Sequence, residues 1–257
     1  MSSWQALDSE LDAWAEAGRC ATLWWRDDDA AEDCPALEKL LNLAETAAVP
    51  LVLAVIPAAL REAAVMRINN SSQAPNIAVV QHGYAHTNHA RDGEKKIELG
   101  GGNPAKDCRA HLHMGQDILV QHFGARLLPV LVPPWNRIDP ALVPALAKMG
   151  YAVLSTYGAR ESEPLKTGPR RINCHIDILN WRQGAVFLGE PETLELACAH
   201  LRARRLAEVD ADEPTGLLSH HLQQDAAAWQ FLADFFKRTL AHPAAAWPDP
   251  ATLFGAA

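Results

Sequence analysis

The chain has 257 residues, 49% of them hydrophobic and 21% charged, the make-up of a globular protein and not of a disordered, collagen-like or coiled-coil one. At roughly 150 residues per domain this is one large domain or two small ones, with enough core to fold without a disulfide or metal staple. The 23 Lys plus Arg against 31 Asp plus Glu leave a net charge of -8, which argues against nucleic-acid binding and against an anionic membrane surface.

No apolar run approaches the ~18 residues of a membrane span. The opening stretch MSSWQALDSELDAWAEAG has neither a basic n-region nor an apolar h-region, so it does not read as a signal peptide. It predicts an amphipathic helix with Trp4, Leu7, Leu11 and Trp14 on one stripe. ATLWWR (21–26) predicts a first strand, followed by a helix over 33–48 with Leu37, Leu40, Leu41 and Ala44 on one face. LVLAVI (51–56) is β-rich and leads into a short helix near 58–67, and NIAVVQ (76–81) is the third strand. The polar stretch 90–104, with glycines at 100–102, reads as a loop with conformational freedom. A helix at 105–123, a strand LLPVLV (127–132) and a helix at 139–149 ended by Gly150 follow. YAVLST (151–156) and RINCHIDI (171–178) are the fifth and sixth strands. A helix at 191–207, the strand GLLSH (216–220) and an amphipathic helix at 225–241 complete the pattern.

Strands that are continuous apolar runs, alternating with helices, predict a parallel sheet with helices outside it. Seven such units point to an α/β fold, a (β/α) barrel, in a single domain spanning 1–257. Neither GxGxxG nor GxxxxGK[ST] follows any strand, which counts against dinucleotide and P-loop chemistry. The five cysteines (Cys20, Cys34, Cys108, Cys174, Cys198) are odd in number and scattered, with no CxxC, which predicts a reduced, cytoplasmic protein.

In a barrel, function belongs at the C-terminal strand ends, and the unusual polar residues fall there. Strand one ends in Arg26-Asp27-Asp28-Asp29, and strand three in His82 and His86 with His89 beyond. Strand four ends in Pro133-Pro134-Trp135-Asn136-Arg137. Strand six carries His175, Asp177, Asn180 and Trp181, and strand seven ends in His220-His221. Taken singly, the aspartates suit a solvated turn or a helix N-cap, and two histidines four apart arise by chance in a chain with 11 of them. Together on one rim, an acidic strand end and a His pair supply a two-His-one-carboxylate set with open positions, as catalytic zinc requires. His111 and His113 share no helix face and read as surface residues. His122, His200 and His242 read as structural or solvated, and Arg202, Arg204 and Arg205 as a solvated helix face.

The order Asp-Asp, His-x3-His, Pro-aromatic, Asp-x2-Asn-Trp, Leu-Leu-x-His resembles the five ordered motifs of the polysaccharide deacetylases, carbohydrate esterase family four, over residues 21–221. The resemblance implies a distorted, seven-stranded (β/α) barrel and a metal-dependent hydrolase that removes an acetyl group from an N-acetylated sugar or related amide. It implies a divalent metal ion, zinc for preference, and a small-molecule or glycan substrate. Carried over, it makes Asp28 the catalytic base and Asp29, His82 and His86 the metal ligands, with Asp27-Asp28 as the competing register. His220 would be the general acid, with His221 the fallback, and Asp177 would hold it while Trp181 packs beneath the site. The backbone N–H of Trp135 would contribute to an oxyanion hole, and Pro134, Asn136 and Trp181 would contact substrate. The family's usual Arg before the Pro is replaced here by Val132. Arg26 stands two residues before Asp28 on the same strand face and is expected to contact its carboxylate, with Arg137 as the other candidate cation. Two further readings remain open: an amidohydrolase acting on a non-sugar amide, and a catalytically silent barrel that binds metal or carbohydrate.

Overall fold

The computed structural model describes residues 3–71, 76–161 and 168–255. Helix α1 (Ser3–Glu16) precedes β1 (Ala21–Ala30), and α2 (Pro35–Ala47), β2 (Leu51–Val55), α3 (Glu62–Asn70) and β3 (Ile77–His82) follow. Next come α4 (Ala105–Phe123), β4 (Leu127–Val132), α5 (Val143–Leu146), β5 (Val153–Leu154), β6 (Arg170–Arg171) and β7 (Ile176–Asp177). A hairpin of β8 (Leu179–Asn180) and β9 (Val186–Phe187) leads to α6 (Glu190–Arg205), β10 (Thr215–Ser219), α7 (Ala226–Ala241), β11 (Ala245–Ala246) and α8 (Pro250–Phe254).

The main sheet runs β6-β5-β4-β3-β2-β1-β10-β7, with every neighbouring pair parallel. The expected sixth strand is divided in an informative way. Its first part pairs with β5, its last part pairs with β10, and Cys174 between them bridges Tyr157. The segment 170–178 thus crosses from one sheet edge to the other and brings the path round into a distorted (β/α) barrel. The expected helix at 139–149 is also broken, into a 3₁₀ turn, α5 and a second 3₁₀ turn. Pro140 and Pro144 lie in it, and proline has no N–H to donate to a continuing helix.

Alternate residues along each strand face opposite sides. Trp24, Val52, Ala54, Val80, Val130, Val132, Cys174 and Leu218 fill the interior. Phe254 of α8 joins them, edge-on to Trp24 at 5.4 Å. The other face of the same strands, including Leu23, Trp25, Leu51, Leu53, Val79 and Leu217, packs against Leu37, Leu40 and Leu41 of α2 and Leu232, Phe235 and Phe236 of α7. Burial on both faces is why these strands are continuous apolar runs. Each such side chain contributes about 1.5–3 kcal/mol. Leu7, Leu11 and Trp14 of α1 are buried as expected, and Trp14 donates its indole N–H to the Leu201 carbonyl of α6 at 3.2 Å.

The stretch read as a free loop is tied down. His89 N–H donates to Ile97 O (2.8 Å), Gly102 N–H to His89 O (2.7 Å), and Asp139 N–H to Leu99 O (2.8 Å). Gly101 has φ 63°, and a Cβ there would lie 2.5 Å from the His89 carbonyl oxygen, so glycine serves close approach here. Among the described residues no helix is long and apolar enough to cross a membrane.

Candidate active site

The polar ends of β1, β3, β4 and β10 meet at the C-terminal rim of the barrel. Arg26 and Asp28 share the inward face of β1, so the first links to the second across one residue. Asp27 lies between them on the opposite face. Side chains at 28 and 29 of a regular strand would point apart, but the β1–β2 register shifts between Asp27 and Ala30, and Asp29 has φ 71°. This bulge turns Asp29 back to the site. Backbone strain is concentrated here, since among the described residues Asp29, His86, Trp135 and Asn136 are four of the seven non-glycine residues with positive φ.

Asp29 Oδ1 lies 3.1 Å from His82 Nε2 and 3.2 Å from His86 Nε2. The Nδ1–H of His82 donates to the Val132 carbonyl at 3.0 Å, which fixes the ring so that Nε2 is the nitrogen facing Asp29. One carboxylate and two imidazoles whose donor atoms all lie within 4.8 Å of one another suit a divalent ion with bonds near 2.0–2.2 Å. Burial works against the Asp29 carboxylate, yet the His82 hydrogen bond and the neighbouring imidazoles hold it well below the usual range. Burial also opposes the charged form of His82, but Asp28 and Asp29 outweigh it and raise its pKa. Burial and the adjacent His82 lower that of His86. The His86 ring lies 4.4 Å from that of Trp135, and Lys96 Nζ lies 5.8 Å from the Trp135 centroid.

Arg26 is fully buried and holds four partner atoms. Its Nε is ion-paired with Asp28 Oδ1 at 2.8 Å, and Nη2 donates to Asp28 Oδ2 at 3.1 Å and Asn136 Oδ1 at 2.7 Å. Nη1 donates to Ser155 Oγ at 2.7 Å. The cation expected at position 132 is therefore supplied from β1, and Arg137 instead donates to the Lys96 carbonyl. His220 Nε2 is 4.0 Å from Asp28 Oδ2. Asp177 differs from expectation. Its oxygens accept from Leu179 N–H (3.0 Å) and Trp181 Nε1–H (2.8 Å), and among the described residues His220 Nδ1 has no hydrogen-bond partner. The Trp181 ring, which donates to Asp177, packs edge-on against the His220 ring at 4.7 Å. Burial raises the pKa of Asp177, and His220 partly offsets this. Of the expected substrate contacts, Trp181 is exposed, Asn136 is engaged by Arg26, and Pro134 is buried against Gly83. Sequence reasoning missed Ser155 and Glu98, because nothing local marks a serine or a loop glutamate as a partner of residues far along the chain.

Asp27 and His221 form a buried pair on the outer face of the rim. The His221 ring Nδ1 lies 2.5 Å from Asp27 Oδ1, and Ser219 Oγ–H donates to Asp27 Oδ2 at 2.5 Å. This pairing leaves Asp28 and Asp29, and not Asp27, in the site. Burial opposes a charged His221, but Asp27 prevails and raises its pKa. A raised folded pKa means that the stabilisation is complete below about pH 6.5 and fades as pH rises through the folded value. Asp27→Asn should destabilise by about 3 kcal/mol near pH 6, with a smaller deficit at pH 9. Urea unfolding of both proteins at the two pH values checks this, and a deficit that grows with pH contradicts it.

A second group of ligand-type side chains, His175, His200 and Glu213, lies toward the opposite end of β10. The two rings stack with centroids 3.4 Å apart and planes at 14°. Imidazole lone pairs lie in the ring plane, so no position serves both rings, and burial pushes His200 down to about 2. Glu213 is satisfied by Arg160 N–H and Asn173 N–H. This cluster is part of the core.

Neither a family model nor a curated protein matches the sequence, whereas the fold matches those of solved structures. The chain is similar to a Mycobacterium smegmatis protein assigned to the polysaccharide deacetylases, at 15% identity and a TM-score of 0.69 over 93% of this chain and 90% of that one. It is similar to the family 4 acetyl xylan esterase of Clostridium thermocellum, solved with a cobalt ion, at 13% identity and a TM-score of 0.55 over 91% of each chain. A mutant of a family 4 pseudoenzyme with restored enzymatic activity is similar at 14% identity and a TM-score of 0.56, over 92% of this chain and 68% of that one. The chain thus has the polysaccharide-deacetylase fold shared with the carbohydrate esterases of family four. A fold that also carries a pseudoenzyme leaves activity to be argued from the site.

Proposed function

We propose that this protein is a metal-dependent hydrolase that removes an acetyl group from an N-acetylated sugar or related amide. The observation that carries the reading is the convergence, on one barrel rim, of the Asp29–His82–His86 donor set with an arginine-clamped carboxylate 4.0 Å from a buried histidine. Asp29, His82 and His86 would hold a divalent ion, for which zinc suits one oxygen and two imidazole donors. When bound, such an ion supplies a Lewis acid for the acyl carbonyl and lowers the pKa of water. Asp28, oriented by Arg26, takes a proton from the attacking water as its oxygen adds to the acyl carbon. The Trp135 N–H donates to the developing oxyanion. His220, in the field of Asp177, gives its proton to the nitrogen as the C–N bond breaks, leaving acetate and a free amine. With its five cysteines unpaired, we assign the chain to the cytoplasm, where a soluble or precursor-linked substrate replaces wall polymer.

Metal content together with acetate release from a panel of N-acetyl sugars tests the proposal. Wild type should hold one ion per chain and release acetate. His82→Ala and His86→Ala should lose most of the ion while circular dichroism stays native, because the apolar core does not depend on it. Full metal retention in both variants would remove the ligand assignment. Metal with no release from any sugar, but release from other amides, would favour a non-sugar amidohydrolase, and no release at all a silent barrel.

A further inference from the structure

The loop between β3 and α4, a polar stretch by sequence, buries one carboxylate. Glu98 is only 3% exposed. Its Oε2 accepts from Tyr84 N–H at 3.0 Å, and its Oε1 from Ala85 N–H at 2.7 Å and Thr87 N–H at 3.5 Å. The first two amides belong to the turn that separates His82 from His86, and Thr87 follows His86 directly. The turn has little other means of satisfying its donors, because it leaves the β3 ladder at Gly83 (φ 54°) and carries His86 at φ 55°. Gly83 is required by the same contact, since a Cβ there would lie 2.0 Å from Glu98 Oε2 and 2.5 Å from Pro134. Glu98 is itself fixed from behind, where Asn103 Nδ2–H donates to its carbonyl and the neighbouring Leu99 bridges Ile138.

We propose that Glu98 is a positioning residue for the metal site, its carboxylate gathering the turn amides so that His86 Nε2 meets His82 Nε2 and Asp29 Oδ1 in one donor set. Hydrogen bonds from N–H groups to a carboxylate are stronger than neutral ones, and they hold His86 in a backbone conformation that a free turn would leave. Glutamine cannot replace Glu98, because its NH2 group would face an amide that also donates. The inference rests on the proposed ligand set, and extends it to a residue that touches neither metal nor substrate.

Cobalt(II) titration, followed by calorimetry and by the visible ligand-field spectrum, tests it on the full chain stripped of metal, alongside the thermal midpoint of each stripped protein. Wild type should bind one ion per chain, and Glu98→Gln should bind it about 10–100-fold more weakly, with an altered spectrum, at a temperature where both are folded. A merely structural role would lower the midpoint and leave affinity and spectrum unchanged, and that result would overturn the proposal. If Glu98→Gln does not fold, Glu98→Asp carries the same test, since it keeps the charge and shortens the reach: weaker binding supports the role and wild-type affinity overturns it. Failure of wild type itself to bind cobalt would sink the ligand set, a different failure from that of Glu98.

Discussion

Asp28→Asn is expected to lower turnover by about 10²–10⁴-fold while the chain keeps its full complement of metal. The amide preserves size and can still accept one hydrogen bond from Arg26, but it cannot take a proton from water. The ligand set is left in place, because Asp29, His82 and His86 make their contacts with one another. Steady-state kinetics and metal analysis on the same preparation check both halves. The control is Asp27→Asn, whose side chain is held by Ser219 and His221 on the far face and whose loss should lower stability far more than chemistry. If Asp27→Asn were the inactive variant and Asp28→Asn remained active, the base would be in the other register.

Arg26→Met is expected to damage both stability and activity. Arg26 is fully buried and Asp28 is 2% exposed, so an apolar replacement strands a carboxylate in the barrel mouth and leaves Asn136 Oδ1 and Ser155 Oγ without their donor. Removing one partner from a buried pair costs about 3–5 kcal/mol, and the freed carboxylate loses its orientation, so turnover should fall with metal retained. Arg26→Lys should rescue little, because one compact ammonium cannot span the partners that a planar guanidinium reaches with three nitrogens. Urea unfolding midpoints and kcat decide the matter. An Arg26→Met protein with wild-type stability and turnover would show that Arg26 has no role in positioning Asp28.

The local terms were legible in the sequence. Apolar runs buried on both faces predicted β1 to β4 and β10, helical periodicity predicted α1, α2, α4, α6 and α7, and the polar strand ends marked the rim where the site lies. The spacing of Arg26 and Asp28 was sufficient to foresee their contact, because residues two apart on a strand share a face. What only the tertiary structure decided depends on partners distant in the chain or on departures from regular backbone. The bulge that turns Asp29 beside His82 needs the β1–β2 register. Ser155 and Asn136 reach Arg26 across 129 and 110 residues. Trp181, and not His220, captures the Asp177 carboxylate. The segment 171–178 reads as one strand, yet it pairs with β5 at one end and β10 at the other, since only closure of the barrel offers it two different edges. Glu98 lies in a polar run that reads as a loop, and becomes a buried acceptor because it takes the N–H groups of the turn after β3. Periodicity records which face of an element is buried. It carries no record of which distant group a buried polar atom will find, because that is settled by the packing of elements against one another.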